Sequence, residues 1–192
     1  MKRLLIILLV YLVPNSLYAL ELKGTFYQGN FIVGKTIPES KVFIDKKEVK
    51  VSNKGLFSFG LSKDRKKDVL IEIIYNNETK KFIKKIFKKS YKVQRIDGLP
   101  KKQVTPPKEV YERIKKDNRL IVEARSVDSD LIFFANKFKM PLENSIITGV
   151  YGSQRILNGI PKSPHYGLDF AAKEGTAIKA MLGGVVTLSE KD

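Results

Sequence analysis

A chain of 192 residues with 43% hydrophobic residues can bury a core, which excludes a compositionally disordered protein and allows one ordinary domain or two small ones. Lysine and arginine number 36 against 20 acidic residues, which gives a formal net charge of +16. Such an excess could attract nucleic acid, anionic lipid or an acidic wall polymer. We favour the alternative, that the lysines only keep the protein soluble. The absence of cysteine excludes disulfides, so stability must come from packing.

Residues 1–19 have the three parts of a secretory signal peptide. Lys2 and Arg3 form a charged head, residues 4–13 form an apolar run, and Ala19 is a small residue suited to cleavage. The run is short for a membrane span, which needs roughly 20 apolar residues, although an uncleaved anchor is the alternative. We expect a periplasmic or cell-envelope location, no nucleic-acid partner, and membrane contact only through this segment if it stays uncleaved.

Residues 20–93 predict an all-β module. Apolar and polar positions alternate between turn signals, as at Val42 and Ile44, which fall on one face of a strand. Asn76-Asn77 predicts the turn of a hairpin, because asparagine tolerates positive φ. A small β-sandwich is the expected form, and nothing in its sequence suggests chemistry.

Residues 94–140 predict a linker and then a helix. "DGLP" and "TPP" are loop signals, and from Pro107 an apolar stripe that includes Val110 and Ile114 predicts a helix over 107–125. We expect this helix to connect the β-module to the C-terminal region.

Residues 141–192 are rich in glycine and in short apolar runs. Strands are predicted at 145–150, 167–171, 177–180 and 184–188, so the whole chain is expected to be mainly β. About 50 residues are few for an independent domain without metal or disulfides. The segment therefore looks like the first part of a β-rich domain.

His165, the only histidine, stands four positions before Asp169. Imidazole and carboxylate are ligands that suit zinc. A straight strand would hold positions i and i+4 about 13 Å apart, so one ion can bind both only if the backbone bends, which Gly167 permits. Taken alone, the spacing is a weak signal, because a lone histidine is more often an ordinary surface or core residue. Tyr166 is expected to pack beneath the strand.

The surrounding sequence resembles the opening of the lysostaphin/LytM-type zinc endopeptidases, which cut peptide cross-bridges in peptidoglycan. Their first metal motif, His-x-x-x-Asp, is matched by His165 and Asp169. The Ala-(Ala/Pro)-x-x-Gly-Thr segment is matched by residues 171–176, the Gly-x-Val strand by 184–186, and the aromatic-Gly-x-Arg lead-in by "YGSQR". The signal peptide, β-module and helix are similar, more loosely, to exported Gram-negative members of the family.

The resemblance implies that His165 and Asp169 are two of three protein ligands of Zn²⁺ and that the substrates are peptidoglycan peptides. The family's third ligand is the second histidine of a downstream His-x-His motif, and its catalytic histidines are likewise absent from a sequence with one histidine. We expect an incomplete peptidase domain over 141–192, no catalytic residue within it, and no hydrolysis by the 192-residue product.

Two competing functions stay open. One is a non-catalytic LytM-like protein that binds the wall or activates a hydrolase, although retention of both His165 and Asp169 argues against it. The other is an envelope scaffold that binds anionic polymers through lysines, which leaves "HYGLD" unexplained. Arg155 is expected to form a structural ion pair, with contact to substrate carboxylates as the alternative.

Overall fold

The computed structural model describes residues 20–105 and 107–190. The predicted signal peptide lies outside the described residues. Within them the chain forms twelve β-strands and two short or medium α-helices, which confirms the mainly-β prediction.

The strands of the N-terminal region are β1 (Glu21–Lys23), β2 (Phe31–Lys35), β3 (Lys41–Ile44), β4 (Lys47–Val49), β5 (Leu56–Gly60), β6 (Val69–Tyr75) and β7 (Glu78–Lys84). After them come β8 (Val93–Ile96), α1 (Lys101–Val104), α2 (Tyr111–Arg125), β9 (Ile146–Gly149), β10 (Gln154–Leu157), β11 (Ile160–Pro161) and β12 (Asp169–Ala171). Single 3-10 turns occupy Lys108–Val110 and Phe133–Ala135.

Two antiparallel sheets share one core in the N-terminal region. One sheet has the order β1-β2-β5 and the other β4-β3-β6-β7. Alternate residues of each strand point inward, so every second side chain of β6 is buried. Because both sheets contribute to this core, the module is sandwich-like, as its alternating sequence predicts. The core contains Ile32, Val42, Phe57, Phe59, Leu61, Val69, Ile71 and Ile73.

Two tight turns set the register of the second sheet. Asp45 and Lys46 join β3 to β4 with φ of 50° and 71°, and Asn76 and Asn77 join β6 to β7 with φ of 48° and 63°. Positive φ at both central residues matches the twist of the flanking strands. The hairpin predicted at Asn76-Asn77 is therefore confirmed.

The segment predicted to be linker begins with a strand. β8 pairs in parallel with β10, which also pairs with β11. This pairing brings Val93 opposite Gln154, so the β-structure does not stop at residue 93. The prediction missed it because parallel partners lie far apart in the sequence.

The predicted helix is present, but it is not buried. The turn at Lys108–Val110 leads into α2, and neither element contains a buried residue. Val110 and Ile114 of the apolar stripe are exposed. The helix connects the two regions without packing tightly between them. None of the helices in the described ranges is long and apolar enough to cross a membrane.

The C-terminal region contains two of the four strands predicted there. β9 lies within 145–150 and β12 within 167–171, and the two pair antiparallel. The predictions at 177–180 and 184–188 are wrong, because neither segment has a neighbouring strand among the residues that the structure describes. Ile178 and Val186 are 78% and 83% exposed, so the described chain leaves these two apolar side chains largely uncovered.

Candidate metal centre

His165 and Asp169 approach each other because the chain bends between them. Residues 162–168 are irregular, with a bend at Gly167, and β12 starts only at Asp169. Nε2 of His165 lies 3.0 Å from Oδ1 of Asp169. A straight strand would place the two residues about 13 Å apart, so the bend that the site requires is present at the glycine expected to allow it.

Backbone hydrogen bonds fix His165 against the turn that precedes β10. Its N–H donates to the carbonyl of Ser153 at 2.9 Å, and its carbonyl accepts from the N–H of Gly152 at 2.7 Å. The Ser153 hydroxyl donates to the carbonyl of Val150 at 2.8 Å, which closes the turn. His165 is thus held on both sides of its Cα.

Asp169 is placed by strand pairing. It is the first residue of β12 and lies opposite Gly149, the last residue of β9. The register shifts between Asp169 and Phe170, and such a bulge re-aims the side chain of the residue beside it. The position of the Asp169 carboxylate therefore depends on both the pairing of β12 with β9 and the bulge.

Gly149 leaves the space in which the two side chains meet. A Cβ at this position would lie 2.3 Å from Oδ2 of Asp169 and 3.1 Å from Nε2 of His165. No ordinary contact is that close to the carboxylate. Only glycine fits opposite Asp169 with the side chains as they stand.

Nε2 of His165 is buried and has no hydrogen-bond partner within the described chain. Oδ1 of Asp169 is within ion-pair distance, but the ring geometry does not make a hydrogen bond to it. A buried polar atom without a partner is costly, and such atoms are often completed by water or an ion. When the proton of an imidazole is on Nδ1, its Nε2 has a lone pair that can bind a cation.

Arg155 competes for the same carboxylate. Its NH2 lies 3.4 Å from Oδ2 of Asp169, while its Nε is buried without a hydrogen-bond partner among the described residues. The ion pair expected for Arg155 is therefore present, and its partner is Asp169. The guanidinium takes one carboxylate oxygen and leaves Oδ1 facing His165.

The candidate metal centre offers two ligand residues within the described chain. Among residues 20–105 and 107–190, no group of three or more histidine, aspartate, glutamate or cysteine side chains is placed to hold a metal ion. His165 and Asp169 fit two positions of a zinc site, whereas a catalytic site uses three protein ligands and a water. Zinc binding stays a prediction.

Tyrosines pack the site region against the N-terminal module. The Tyr91 ring covers Gly152, where a Cβ would lie 2.2 Å from Cε1 and φ is +84°. The Tyr91 hydroxyl donates to the carbonyl of Gln28 at 2.8 Å, and burial, with a smaller contribution from Tyr151, raises the pKa of Tyr91. The region that holds His165 therefore rests directly on the β-module.

Tyr166 does not pack beneath a strand as expected. It is 66% exposed, and its ring meets that of Tyr151 edge-on at a centroid distance of 6.0 Å. The prediction failed because residues 165–168 are not a strand and so have no inner face.

Sequence reasoning missed Gly149 and the Arg155–Asp169 contact. The signal for Gly149 was slight: a glycine at the end of an apolar run, which indicates a strand end or a close approach. Searches with models of known protein families and among curated proteins found no match to this chain.

Proposed function

We propose that this chain belongs to an exported zinc endopeptidase that hydrolyses peptidoglycan cross-bridges, and that His165 and Asp169 are two of its metal ligands. One observation supports this most. Nε2 of His165 lies 3.0 Å from Oδ1 of Asp169, and both side chains are of types that bind zinc. This nitrogen is buried without a hydrogen bond to any described residue. The motif resemblance supplies the reaction and the substrate class.

Each residue of the pair would have its own task. Zinc, when bound, polarises a scissile carbonyl and lowers the pKa of its water to near 7. His165 would donate Nε2 as a neutral ligand, held by its backbone bonds to Ser153 and Gly152. Asp169 would add a negative charge that partly offsets the ion's, with Arg155 steadying its second oxygen.

A catalytic base is not among these residues. The sequence has one histidine, and that histidine is committed to the metal in this proposal. These 192 residues are therefore expected to bind zinc weakly and to leave peptide bonds intact. Catalysis needs a third ligand and a base from a His-x-His segment.

The second candidate is a non-catalytic LytM-like protein that binds the wall or activates a hydrolase. The observation that favours it is Arg155, whose guanidinium lies 3.4 Å from the Asp169 carboxylate. A cation of the protein beside a ligand oxygen partly neutralises the charge that would attract a metal ion. In that case His165 and Asp169 would be a structural pair.

The single histidine makes the test direct. With nitrogen-labelled histidine, the spectrum contains one imidazole, and its Nε2 and Nδ1 signals report which nitrogen binds the ion. Adding zinc to the 192-residue chain is expected to shift Nε2 strongly and Nδ1 little. Asp169→Asn should weaken the response by roughly tenfold, because the negative ligand is lost.

Glu174→Gln is the matched control, since Glu174 is an exposed acid nearby in sequence and is not one of the proposed ligands. It should titrate like the parent chain. An imidazole that does not respond to zinc, or that responds equally in the Asp169→Asn variant, would support the non-catalytic candidate. Reading the gene past the codon for Asp192 tests the catalytic part, since an in-frame His-x-His would supply the missing groups.

A further inference from the structure

The N-terminal module contains a cationic cleft of about 580 Å³. It lies between the loop after β5 and the segment after β7. Nothing in the sequence indicates a site here, because the lining residues come from three separate parts of the chain: Gln28, residues 63–66 and residues 86–91. The lining includes five basic residues, Lys63, Arg65, Lys66, Lys88 and Lys89, and one acidic residue, Asp64.

Three of the five cations have no acidic partner in the described part of the chain. Arg65 holds Asp45 with two bonds, at 2.6 and 3.0 Å, and the Lys63 ammonium lies 2.6 Å from the Asp64 carboxylate. No carboxylate of the described residues pairs with the three remaining cations of the lining, Lys66, Lys88 and Lys89. The positive charge of the cleft is therefore available to a ligand and not consumed within the module.

Hydrogen bonds around Gln28 fix the walls. Its Nε2 donates to the carbonyl of Arg65 at 2.6 Å, and its Oε1 accepts from the N–H of Lys89 at 3.1 Å. The Tyr91 hydroxyl donates to its carbonyl at 2.8 Å. One residue thus joins both walls and the floor, so the cleft needs little rearrangement to bind a ligand.

The floor of the cleft is apolar and aromatic. Ammonium groups of Lys63 and Lys89 lie 5.7 and 5.9 Å from the centroid of the Tyr91 ring, and Ile86 adds aliphatic surface. A phosphate chain has no apolar groups to place on this floor. A peptide does have apolar groups, because Cβ atoms and methylene groups separate its charges.

The cleft and the region of the candidate metal centre share Tyr91. The ring of this tyrosine also covers Gly152, whose N–H donates to the carbonyl of His165. The carbonyl of Lys92 accepts from the N–H of Gln154 at 2.9 Å. The same short stretch of chain therefore lines the cleft and supports the residues beside His165.

We propose that this cleft binds peptides that carry several carboxylates, and that it anchors the acidic part of a peptide whose other part reaches His165. The link to His165 rests on the proposed function, whereas peptide binding by the cleft does not. The site acts through Lys66, Lys88 and Lys89 as charges and through Tyr91 and Ile86 as an apolar floor.

The test uses the 192-residue chain, without metal, and a short fluorescent peptide of alternating glutamate and alanine. We expect measurable binding that weakens as salt is added, because the attraction is between exposed charges. The double variant Lys88→Gln, Lys89→Gln should bind on the order of fivefold more weakly, the loss expected for two partly exposed ion pairs.

The matched control is the double variant Lys47→Gln, Lys54→Gln. It removes the same charge from exposed turn and edge positions outside the cleft, and it should bind like the parent. Equal weakening in both double variants would show diffuse attraction and overturn the proposal. Inorganic polyphosphate of equal charge binding as tightly as the peptide would also overturn it.

His165→Ala separates this proposal from the metal site. The variant should lose the zinc response and keep its affinity for the peptide. If the parent chain binds the peptide but ignores zinc, the metal proposal and the link to His165 fail, and peptide binding by the cleft stands. If it binds zinc but not the peptide, only the cleft proposal fails.

Discussion

Nε2 of His165 lies 3.0 Å from Oδ1 of Asp169, and both side chains face the bare backbone of Gly149. The pair is assembled by three separate local features: a bend at Gly167, a bulge after Asp169, and a strand end without a side chain. Each feature can be altered alone. The geometry of the candidate site therefore gives predictions that do not depend on catalytic activity.

Gly149→Ala should displace the Asp169 carboxylate. The new Cβ would lie 2.3 Å from Oδ2, so either the side chain or strand β9 must move, at a cost of about 1–3 kcal/mol. The zinc-dependent shift of the His165 imidazole should weaken in nuclear magnetic resonance titrations. Gly184→Ala, where a Cβ would meet nothing within 4 Å, serves as the control. An unchanged titration in the Gly149 variant would argue against a ligand role for Asp169 in this position.

The Asp45–Arg65 ion pair should make stability depend on pH in the acid range. The hydrogen bond from Arg65 holds the pKa of Asp45 below its usual value, opposed in part by burial. The stability that ionised Asp45 contributes is therefore present above the pKa that this residue has in the unfolded chain. It is lost as pH falls through the pKa of Asp45 in the folded protein. Because the pair is partly exposed, Asp45→Asn should cost about 0.5 kcal/mol near neutral pH.

Urea unfolding of the parent and the Asp45→Asn variant at neutral and acid pH measures this effect. Asparagine tolerates the positive φ at this turn position, so the substitution tests the charge and not the turn. The difference between the two proteins should vanish in acid. A difference that is constant across pH would show that the charge of Asp45 contributes nothing.

Tyr91 should ionise at a higher pH in the folded protein than in the unfolded chain. Burial raises its pKa, so the folded state retains the phenol proton more strongly than the unfolded chain does. The stability gained from this difference is complete below the pKa of Tyr91 in the unfolded chain. It is lost as pH rises through the pKa of Tyr91 in the folded protein. In an absorbance titration of tyrosinate, Tyr91→Phe should remove a step that lies above the ordinary range of tyrosine.

The same variant also loses the hydrogen bond to the carbonyl of Gln28. It should be less stable by about 1 kcal/mol at neutral pH. Tyr75→Phe is the comparison, because Tyr75 lies at the end of β6, away from the cleft. Loss of a titration step at or below the ordinary range of tyrosine in Tyr91→Phe would refute the assignment.

Phe57→Ala should cost about 3–5 kcal/mol of unfolding free energy, since the ring is fully buried between the two sheets. This is a large part of the roughly 5–15 kcal/mol typical of a domain, so Phe57→Leu provides a milder variant for quantitative unfolding curves. Ile83→Ala on the exposed side of β7 should change stability little. Comparable losses at both positions would contradict the placement of the core.

Local signals in the sequence were enough for much of the fold. The hairpin at Asn76-Asn77 follows from residues that accept positive φ, and the sandwich follows from alternation with a period of two. The bend at Gly167 followed from a distance requirement on two candidate ligands. In each case the controlling residues lie within a few positions of the feature they determine.

Features set by distant partners could not be predicted in the same way. β8 becomes a strand only because β10 lies beside it, and Arg155 reaches Asp169 only after β9 and β12 have paired. The apolar runs near Ile178 and Val186 have strand-like sequences, but no strand of the described chain pairs with them. The N–H of Lys179 donates instead to the carbonyl of Pro141, which lies outside any strand. The cationic cleft likewise depends on three separate parts of the chain whose proximity is a property of the folded module.

The pairing of β8 with β10 also constrains the order in which the molecule can assemble. The hairpins of the sandwich close over short stretches and can form as soon as their residues have been synthesised. β8 must wait for a partner that arrives late, since Leu99 and Asn158, bonded to each other at the end of this pairing, are 59 positions apart. Closing so long a loop is slow and entropically costly. During that interval the polypeptide between them is the part most open to proteases and to the wrong strand neighbours.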